Sequence, residues 1–121
     1  MTIQTLGRLH SNISTILTIK KVAIHHHLIA MSEEVILQHA NSAGTDFLLY
    51  TGNFCGYCTA AKRLFDSKKL SFKEYNFDQH SGLRQIVVET TGHRTVPVIF
   101  DLRDGNVTFI GGFDETNAYL N

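Results

Sequence analysis

Apolar and polar positions follow a regular pattern over residues 31–121, where short apolar runs alternate with segments of helical spacing. Runs rich in apolar and β-branched residues predict four strands, at residues 46–51, 70–77, 98–101 and 107–110. Helical spacing of apolar residues predicts four helices, at residues 32–41, 55–68, 83–91 and 114–120. The pattern therefore predicts an α/β fold, with a four-stranded mixed sheet and helices on both of its faces.

The order of these elements also predicts how the strands pair. Strand, helix and strand follow one another over residues 46–77, which predicts a parallel pair joined by a right-handed crossover. Asp104-Gly105-Asn106 separates the last two strands and predicts a β-hairpin.

Residues 1–30 differ from the rest and are treated as an N-terminal extension to a domain at residues 31–121. They contain basic and hydroxyl side chains but no Asp or Glu, a composition typical of an organelle transit peptide or of a disordered leader. Alternatively, Met31 is the true start and the extension is absent from the mature protein. We favour this second interpretation, because Ser32-Glu33-Glu34 after Met31 is typical of a helix N-terminus.

Composition limits the classes of function. The formal net charge is zero, which argues against a nucleic-acid or membrane-surface partner. No apolar run approaches the roughly 20 residues that cross a bilayer. Two cysteines do not make a secreted disulfide scaffold, so we expect a reducing compartment. We expect a cytoplasmic protein, with organelle import if residues 1–30 are a transit segment.

The two cysteines lie three residues apart in Cys55-Gly56-Tyr57-Cys58, between a predicted strand and a predicted helix. At this spacing they can close into a disulfide on the first turn of the helix and reopen when another thiol attacks. Cys55 would face the free N–H groups at the helix N-terminus, which lower the pKa of a thiol and create a nucleophile. Cys58, one turn further, would be sheltered and could act as the resolving thiol.

Two other interpretations of this motif stay open. A Cys-x-x-Cys pair can be half of a zinc site, although such a site usually needs four ligands and there is no second cysteine pair. The thiols could also be inert or form a purely structural disulfide, which would close a loop too short to remove much chain entropy. Redox chemistry is favoured because the motif lies in a βαβ pattern. No metal site is predicted, including at the adjacent His25, His26 and His27.

The only proline, Pro97, precedes the third predicted strand. Since proline removes one ladder donor, it is expected at the start of a strand or at a bend. A cis Val96–Pro97 bond is the sharper alternative, although few X–Pro bonds in folded proteins are cis.

Residues 31–121 resemble a glutaredoxin of the dithiol Cys-Gly-Tyr-Cys type, within the thioredoxin-fold superfamily. The resemblance rests on five short segments in the family's order: Tyr50-Thr51, Cys55-Gly56-Tyr57-Cys58, Thr91-Gly92, Arg94-Thr95-Val96-Pro97 and Ile110-Gly111-Gly112-Phe113-Asp114. It implies a thioredoxin-like fold and a glutathione-dependent thiol–disulfide oxidoreductase. Its substrates would be protein–glutathione mixed disulfides and protein disulfides, with glutathione as co-substrate and no nucleic-acid or membrane partner.

The resemblance also implies roles for single residues. Cys55 would be the nucleophile that takes the glutathionyl group, and Cys58 the second thiol that resolves protein disulfides. Val96 would pair through its backbone with the cysteine of glutathione, and Asp114 would engage the γ-glutamyl end. Glutathione contacts are expected at Tyr57, Arg84, Arg94, Thr95, Val96, Pro97, Gly111, Gly112, Phe113 and Asp114. Simpler interpretations are that Gly111-Gly112 is a turn and Asp114 an N-cap.

Two positions depart from the family pattern. Many relatives carry a lysine three residues before the nucleophile, where this chain has Gly52. We therefore expect Arg84 or Arg94 and the helix N-terminus to replace that cation, and Cys55 to be less acidic than in lysine-bearing relatives. Gly56 replaces the commoner proline after the nucleophile.

Gly56 is also the basis of an alternative function. Some glutaredoxins with a small residue there hold a [2Fe–2S] cluster between two subunits, with one cysteine and one glutathione from each. We expect a monomer otherwise, and a dimer only if such a cluster is bound. A dedicated reductant for a single enzyme is a third interpretation, for which the sequence identifies no partner.

Overall fold

The computed structural model describes the backbone of residues 3–4 and 23–121, and the side chains of residues 31–121. Its strands are β1 (Ile3–Gln4), β2 (Phe47–Thr51), β3 (Phe72–Asn76), β4 (Val98–Asp101) and β5 (Val107–Gly111). Its helices are α1 (Ala23–Ala43), α2 (Gly56–Ser67), α3 (Leu83–Thr91) and α4 (Phe113–Leu120), with a 3-10 helix at Phe77–Gln79. All four predicted strands and the last three predicted helices are present close to their predicted bounds, although β3 is shorter and the 3-10 helix extends from the end of the predicted strand into the predicted loop.

The described strands form one mixed sheet in the order β1-β5-β4-β2-β3. β2 and β3 are parallel, whereas β4 is antiparallel to both β2 and β5. The predicted parallel pair and the predicted hairpin are therefore confirmed, and β2–β5 form the predicted four-stranded mixed sheet. β1 adds a two-residue strand parallel to β5 at the edge, within the segment treated as an extension.

The strand directions bring four chain segments to one end of the sheet. β2, β3 and β5 all run towards this end, while the antiparallel β4 begins there. Tyr50 of β2 is opposite Val98, the first residue of β4, and Ile99 is opposite Gly111 at the end of β5. The segment after β2, the segment before β4 and the segment after β5 are consequently neighbours, although they are far apart in sequence.

The sheet separates two hydrophobic clusters, as the alternation of side chains along a strand requires. Leu48 and Tyr50 of β2 pack in the cluster that contains buried residues of α1 and α3. Phe47 and Leu49 pack in the other cluster, with Ala61 of α2 and with the first and last residues of α4 around them. Helices therefore cover both faces, as predicted, and β2 is buried along its whole length.

The N-terminal bound predicted for the first helix is wrong. α1 begins at Ala23 rather than near Ser32, and no glycine or proline lies within it. Ser32 is not a cap but a buried residue inside the helix, and its hydroxyl donates to Glu89 Oε2 of α3 at 3.1 Å. Gly44, at φ +64°, follows the end of the helix.

The interpretations of residues 1–30 as a transit segment or dispensable leader largely concern residues that lie outside the described ones. Within the described part of the chain, no helix is long and apolar enough to cross a membrane.

The position of α2 is fixed by a buried aromatic side chain. Phe65 is fully buried, and its ring stacks on Phe47 of β2 with 4.6 Å between centroids. The same ring lies 5.6 Å from that of Phe72 on β3. Ala61, one turn earlier, is also fully buried, so this face of α2 rests on the sheet as the sequence pattern predicted.

Phe65→Ala should lower the free energy of unfolding by about 3–5 kcal/mol, since it removes a buried ring and leaves a cavity. Urea titration followed by circular dichroism measures this change. The matched control is Arg63→Ala on the exposed side of α2, which should stay within about 0.5 kcal/mol of the unaltered protein. A similar small effect for Phe65→Ala would contradict the packing described for α2.

Candidate functional site

The two cysteines lie where β2 passes into α2 and are joined by a disulfide, with 5.2 Å between their Cα atoms. Cys55 is the N-cap of α2, and its Sγ accepts a hydrogen bond from the Cys58 backbone N–H at 3.0 Å. Cys58 is buried, with 2 % of its surface exposed, whereas Cys55 is half-buried. The predicted asymmetry between an accessible and a sheltered sulfur is therefore present.

The segment before β4 lies beside this disulfide. The Val96–Pro97 peptide bond is cis, which confirms the more specific of the two interpretations of Pro97 given above. The carbonyl oxygen of Val96 lies 3.7 Å from Cys55 Sγ. The segment before β4 thus places a backbone carbonyl beside the accessible sulfur.

A groove of about 600 Å³ lies next to the cysteine helix. Its walls are Tyr57, Arg84, His93, Arg94, Thr95, Val96, Pro97, Gly112, Phe113, Asp114 and Glu115. All predicted glutathione-contact residues except Gly111 are in this lining, and Gly111 directly precedes Gly112, which is part of it. The structure therefore gathers residues from α2, α3, the segment before β4 and α4 into one concave surface.

Two lining residues, His93 and Glu115, were missed by the sequence analysis. Glu115 Oε1 accepts a hydrogen bond from the Gly112 N–H at 2.7 Å. Its position three residues after the N-cap is typical of a capping residue, so this spacing could have identified it. His93 Nε2 lies 3.2 Å from Thr95 Oγ1, and no feature of the sequence marks this histidine.

The groove carries opposite charges on its two sides. Arg84 of α3 and Arg94 of the following segment supply the cations, and Asp114 and Glu115 in the first turn of α4 supply the acids. Arg84 is held in place, because its guanidinium lies 5.0 Å from the centre of the Phe77 ring and its Nη1 donates to the Arg94 carbonyl at 3.3 Å. A zwitterionic ligand with a carboxylate at one end and an ammonium group at the other would match this arrangement.

Gly52, where many relatives carry lysine, lies beside the Arg84 side chain. A Cβ atom at Gly52 would be 3.6 Å from Arg84 Nη2 and 3.5 Å from Asp78 Oδ2. The guanidinium of Arg84 therefore lies close to the space that a side chain at position 52 would enter. This location supports the hypothesis that Arg84 supplies the missing cation, while the lower acidity expected of Cys55 stays a prediction.

The Gly111-Gly112 pair forms the turn into α4. Gly111 has φ +133°, and a Cβ there would approach Glu115 Oε1 to 2.9 Å. Gly112, rather than Asp114, is the N-cap of α4, and its carbonyl accepts hydrogen bonds from the N–H and hydroxyl of Thr116. The simpler interpretation of Asp114 as an N-cap is wrong, since Asp114 lies in the first turn of the helix.

The C-terminal part of α4 is tied to β4 through Asp101. Burial alone would raise the pKa of this carboxyl, but hydrogen bonds from Arg103 and Tyr119 outweigh it, so the pKa is lowered. The Tyr119 hydroxyl donates to Asp101 Oδ2 at 2.8 Å. This contact anchors the helix whose first turn forms one side of the groove.

No group of three or more His, Cys, Asp or Glu side chains in the described part of the chain is placed to hold a metal ion. Cys55 and Cys58 are both engaged in the disulfide. The described residues thus offer nothing to complete the zinc half-site considered above.

The fold and the site define a thioredoxin-like protein with a dithiol Cys-x-x-Cys pair at a helix N-terminus, the arrangement of thiol–disulfide oxidoreductases. The family model described as Glutaredoxin matches residues 47–105. Glutaredoxin 3 of Escherichia coli (strain K12) is 37 % identical over 70 residues, which span 58 % of this chain and 80 % of that protein. The chain belongs to the glutaredoxin family.

Other relatives agree with this assignment. Glutaredoxin-C6 of Oryza sativa subsp. japonica is 34 % identical over 82 residues, which span 65 % of this chain and 70 % of the rice protein. Among solved structures, a buckwheat glutaredoxin–glutathione complex superposes with a TM-score of 0.64 at 27 % identity, covering 78 % of this chain and 83 % of that one. The thioredoxin-like fold and the redox role of the Cys55–Cys58 pair therefore follow from family membership as well as from geometry.

Gly111→Ala should destabilise the fold by about 1–3 kcal/mol, because a side chain is strained at this φ and would collide with Glu115. Chemical denaturation measures the loss. Gly56→Ala is the matched control, since a Cβ at Gly56 meets nothing within 4 Å, and it should be neutral or raise stability by up to about 1 kcal/mol. Equal effects at the two glycines would contradict the role given to Gly111.

Proposed function

We propose that this protein is a glutathione-dependent thiol–disulfide oxidoreductase that reduces protein–glutathione mixed disulfides and protein disulfides. The observation that carries the proposal is the position of Cys55 Sγ beside the Val96 carbonyl, next to a groove with cations on one side and acids on the other. Glutathione has a thiol between a glycyl carboxylate and a γ-glutamyl end that bears an ammonium and a second carboxylate. The similar buckwheat glutaredoxin, which was solved as a complex with glutathione, supports the same ligand.

In the first half-reaction, the Cys55 thiolate attacks the glutathione sulfur of a mixed disulfide. The bond between Cys55 and glutathione forms as the bond between glutathione and the target cysteine breaks, and the target leaves as a thiolate that takes up a proton. The Cys58 N–H, which donates to Cys55 Sγ at 3.0 Å, would stabilise the attacking thiolate. The target thiolate leaves faster when the pKa of the target thiol is low.

In the second half-reaction, the thiolate of another glutathione attacks the glutathione sulfur bound to Cys55. Glutathione disulfide leaves, and the Cys55 thiolate is regenerated. Val96 would present its backbone to the cysteine of the bound glutathione, Arg84 and Arg94 would hold a carboxylate, and Asp114 would hold the ammonium group. Tyr57 and Phe113, with ring centroids 6.1 Å apart, would border the apolar part of the ligand.

Protein disulfides need the second cysteine. Cys55 would attack one sulfur of the target, and Cys58 would then attack Cys55 to release the reduced target and form the Cys55–Cys58 disulfide. The structure holds the pair in this oxidised form. Two glutathione molecules would reduce it, giving one glutathione disulfide and two thiols.

The iron–sulfur alternative, which rests on Gly56, stays a prediction from the resemblance. A cluster shared by two subunits would need the Cys55 thiolate free, and colour after anaerobic purification would reveal it. No contact in the described residues favours it over disulfide exchange, so the oxidoreductase is the function proposed.

The two cysteines should respond differently to substitution. Cys55→Ser should abolish turnover of a small glutathione mixed disulfide, because no other thiol is positioned to attack. Cys58→Ser should keep that activity but lose most reduction of protein disulfides, since the resolving step is missing. Coupling to glutathione reductase measures both reactions, and loss of small-substrate turnover in Cys58→Ser would show that the roles are wrongly assigned.

Arg84→Ala should raise KM for a small glutathione mixed disulfide about tenfold, as expected for one solvent-screened, charge-assisted hydrogen bond. Adding Gly52→Lys to Arg84→Ala should restore most of the affinity, because the new ammonium enters the space that the guanidinium leaves. Arg63→Ala, an exposed arginine outside the groove lining, is the matched control and should leave KM unchanged. An unchanged KM in Arg84→Ala would remove this residue from the site.

A further inference from the structure

Phe54, the residue immediately before Cys55, is fully exposed. Its exposed fraction is 107 %, compared with 52 % for Met31, 63 % for Tyr57 and 50 % for Tyr119 among the exposed large apolar side chains of residues 31–121. It is not part of the groove lining. A large apolar ring next to the accessible sulfur is thus left in water, outside the proposed glutathione site.

The backbone of Phe54 is also unusual. Its φ is +52°, in the left-handed region that residues with a side chain avoid and that Gly or Asn adopt more easily. Only one other non-glycine residue in the described part of the chain, Lys69, has a positive φ. Strained backbone of this kind persists where the surroundings impose it, and it is enriched at functional sites.

Hydrogen bonds hold the residues on both sides of Phe54. The Asn53 N–H donates to Asp78 Oδ2 at 2.6 Å, and Asn53 Oδ1 accepts from Asn76 Nδ2 at 3.0 Å. On the other side, Cys55 is fixed as the N-cap of α2. The Phe54 ring therefore projects from a backbone held at both ends, and little backbone entropy would be lost if another molecule covered it.

On the basis of the proposed function, we propose that Phe54 contacts the target protein. It would select target segments that carry an apolar side chain beside the glutathionylated cysteine. The target sulfur is one disulfide bond from the glutathione sulfur that Cys55 attacks, so the target chain must pass close to Cys55. Glutathione occupies the groove, which leaves the surface outside the groove for the target. Residues 52–56 carry no charged side chain, so the contact is apolar rather than ionic.

The test compares two glutathionylated peptides that differ only in the residue next to cysteine, leucine in one and asparagine in the other. The unaltered protein should turn over the leucine peptide with a kcat/KM about five- to tenfold higher than the asparagine peptide, as expected for partial burial of two apolar side chains. Phe54→Asn should abolish this preference, and Phe54→Leu should retain most of it. Met31→Ser, which removes an exposed apolar side chain on α1, is the matched control and should retain it fully.

Turnover of a small glutathione mixed disulfide separates this inference from the proposed function. Turnover of this small substrate should be similar in the unaltered protein, Phe54→Asn, Phe54→Leu and Met31→Ser, because the substrate has no peptide chain that could reach Phe54. Phe54→Asn should also unfold at the same or higher urea concentration, since Asn tolerates a positive φ. Equal rates for the two peptides, or a preference that survives in Phe54→Asn, would overturn the inference alone. No turnover of the small substrate by the unaltered protein would overturn the proposed function and this inference with it.

Discussion

The hydrogen bond from the Cys58 N–H to Cys55 Sγ depends on where α2 begins, and the rest of the site depends on the same point. Cys55 can be the N-cap because Phe65 and Ala61 hold the helix on the sheet. With the helix fixed, the first sulfur lies half-exposed at the helix N-terminus and the second lies inside. In the proposed function, the difference between nucleophile and resolving thiol is therefore set by burial and by free backbone donors, not by the cysteines themselves.

The mixed sheet supplies the remaining parts. Because β4 is antiparallel to its neighbours, its first residue lies at the end of the sheet where β2 and β5 finish. The Val96–Pro97 segment and the Gly111-Gly112 turn thereby come to lie beside the cysteine helix. One polar wall of the groove comes from the helix layer of α3 and the other from that of α4, so cations and acids face the same cavity from different layers.

The surroundings of Gly52 illustrate how one charge can be supplied from another part of the chain. The Arg84 guanidinium reaches the neighbourhood of Gly52 from α3, with the Phe77 ring and the Arg94 carbonyl fixing its orientation. A side chain at position 52 would project from the cysteine loop itself, whereas Arg84 projects from a helix. If Arg84 acts as proposed, the cation of the site is positioned by α3 and by the segment that carries Arg94, rather than by the loop that carries Cys55.

The sequence by itself determined the strands, the later helices and the two-faced sheet, because these follow from apolar periodicity and from Gly and Pro at local turns. It also identified the cysteine pair from its spacing and, through the resemblance to glutaredoxins, most of the groove. Tertiary structure decided the start of α1, where Ser32 is buried against Glu89 rather than capping a helix. It likewise decided the proximity of Arg84 to Gly52, the inclusion of His93, and the exposure of Phe54. These features depend on which distant residues pack together, and no local pattern in the chain encodes such contacts.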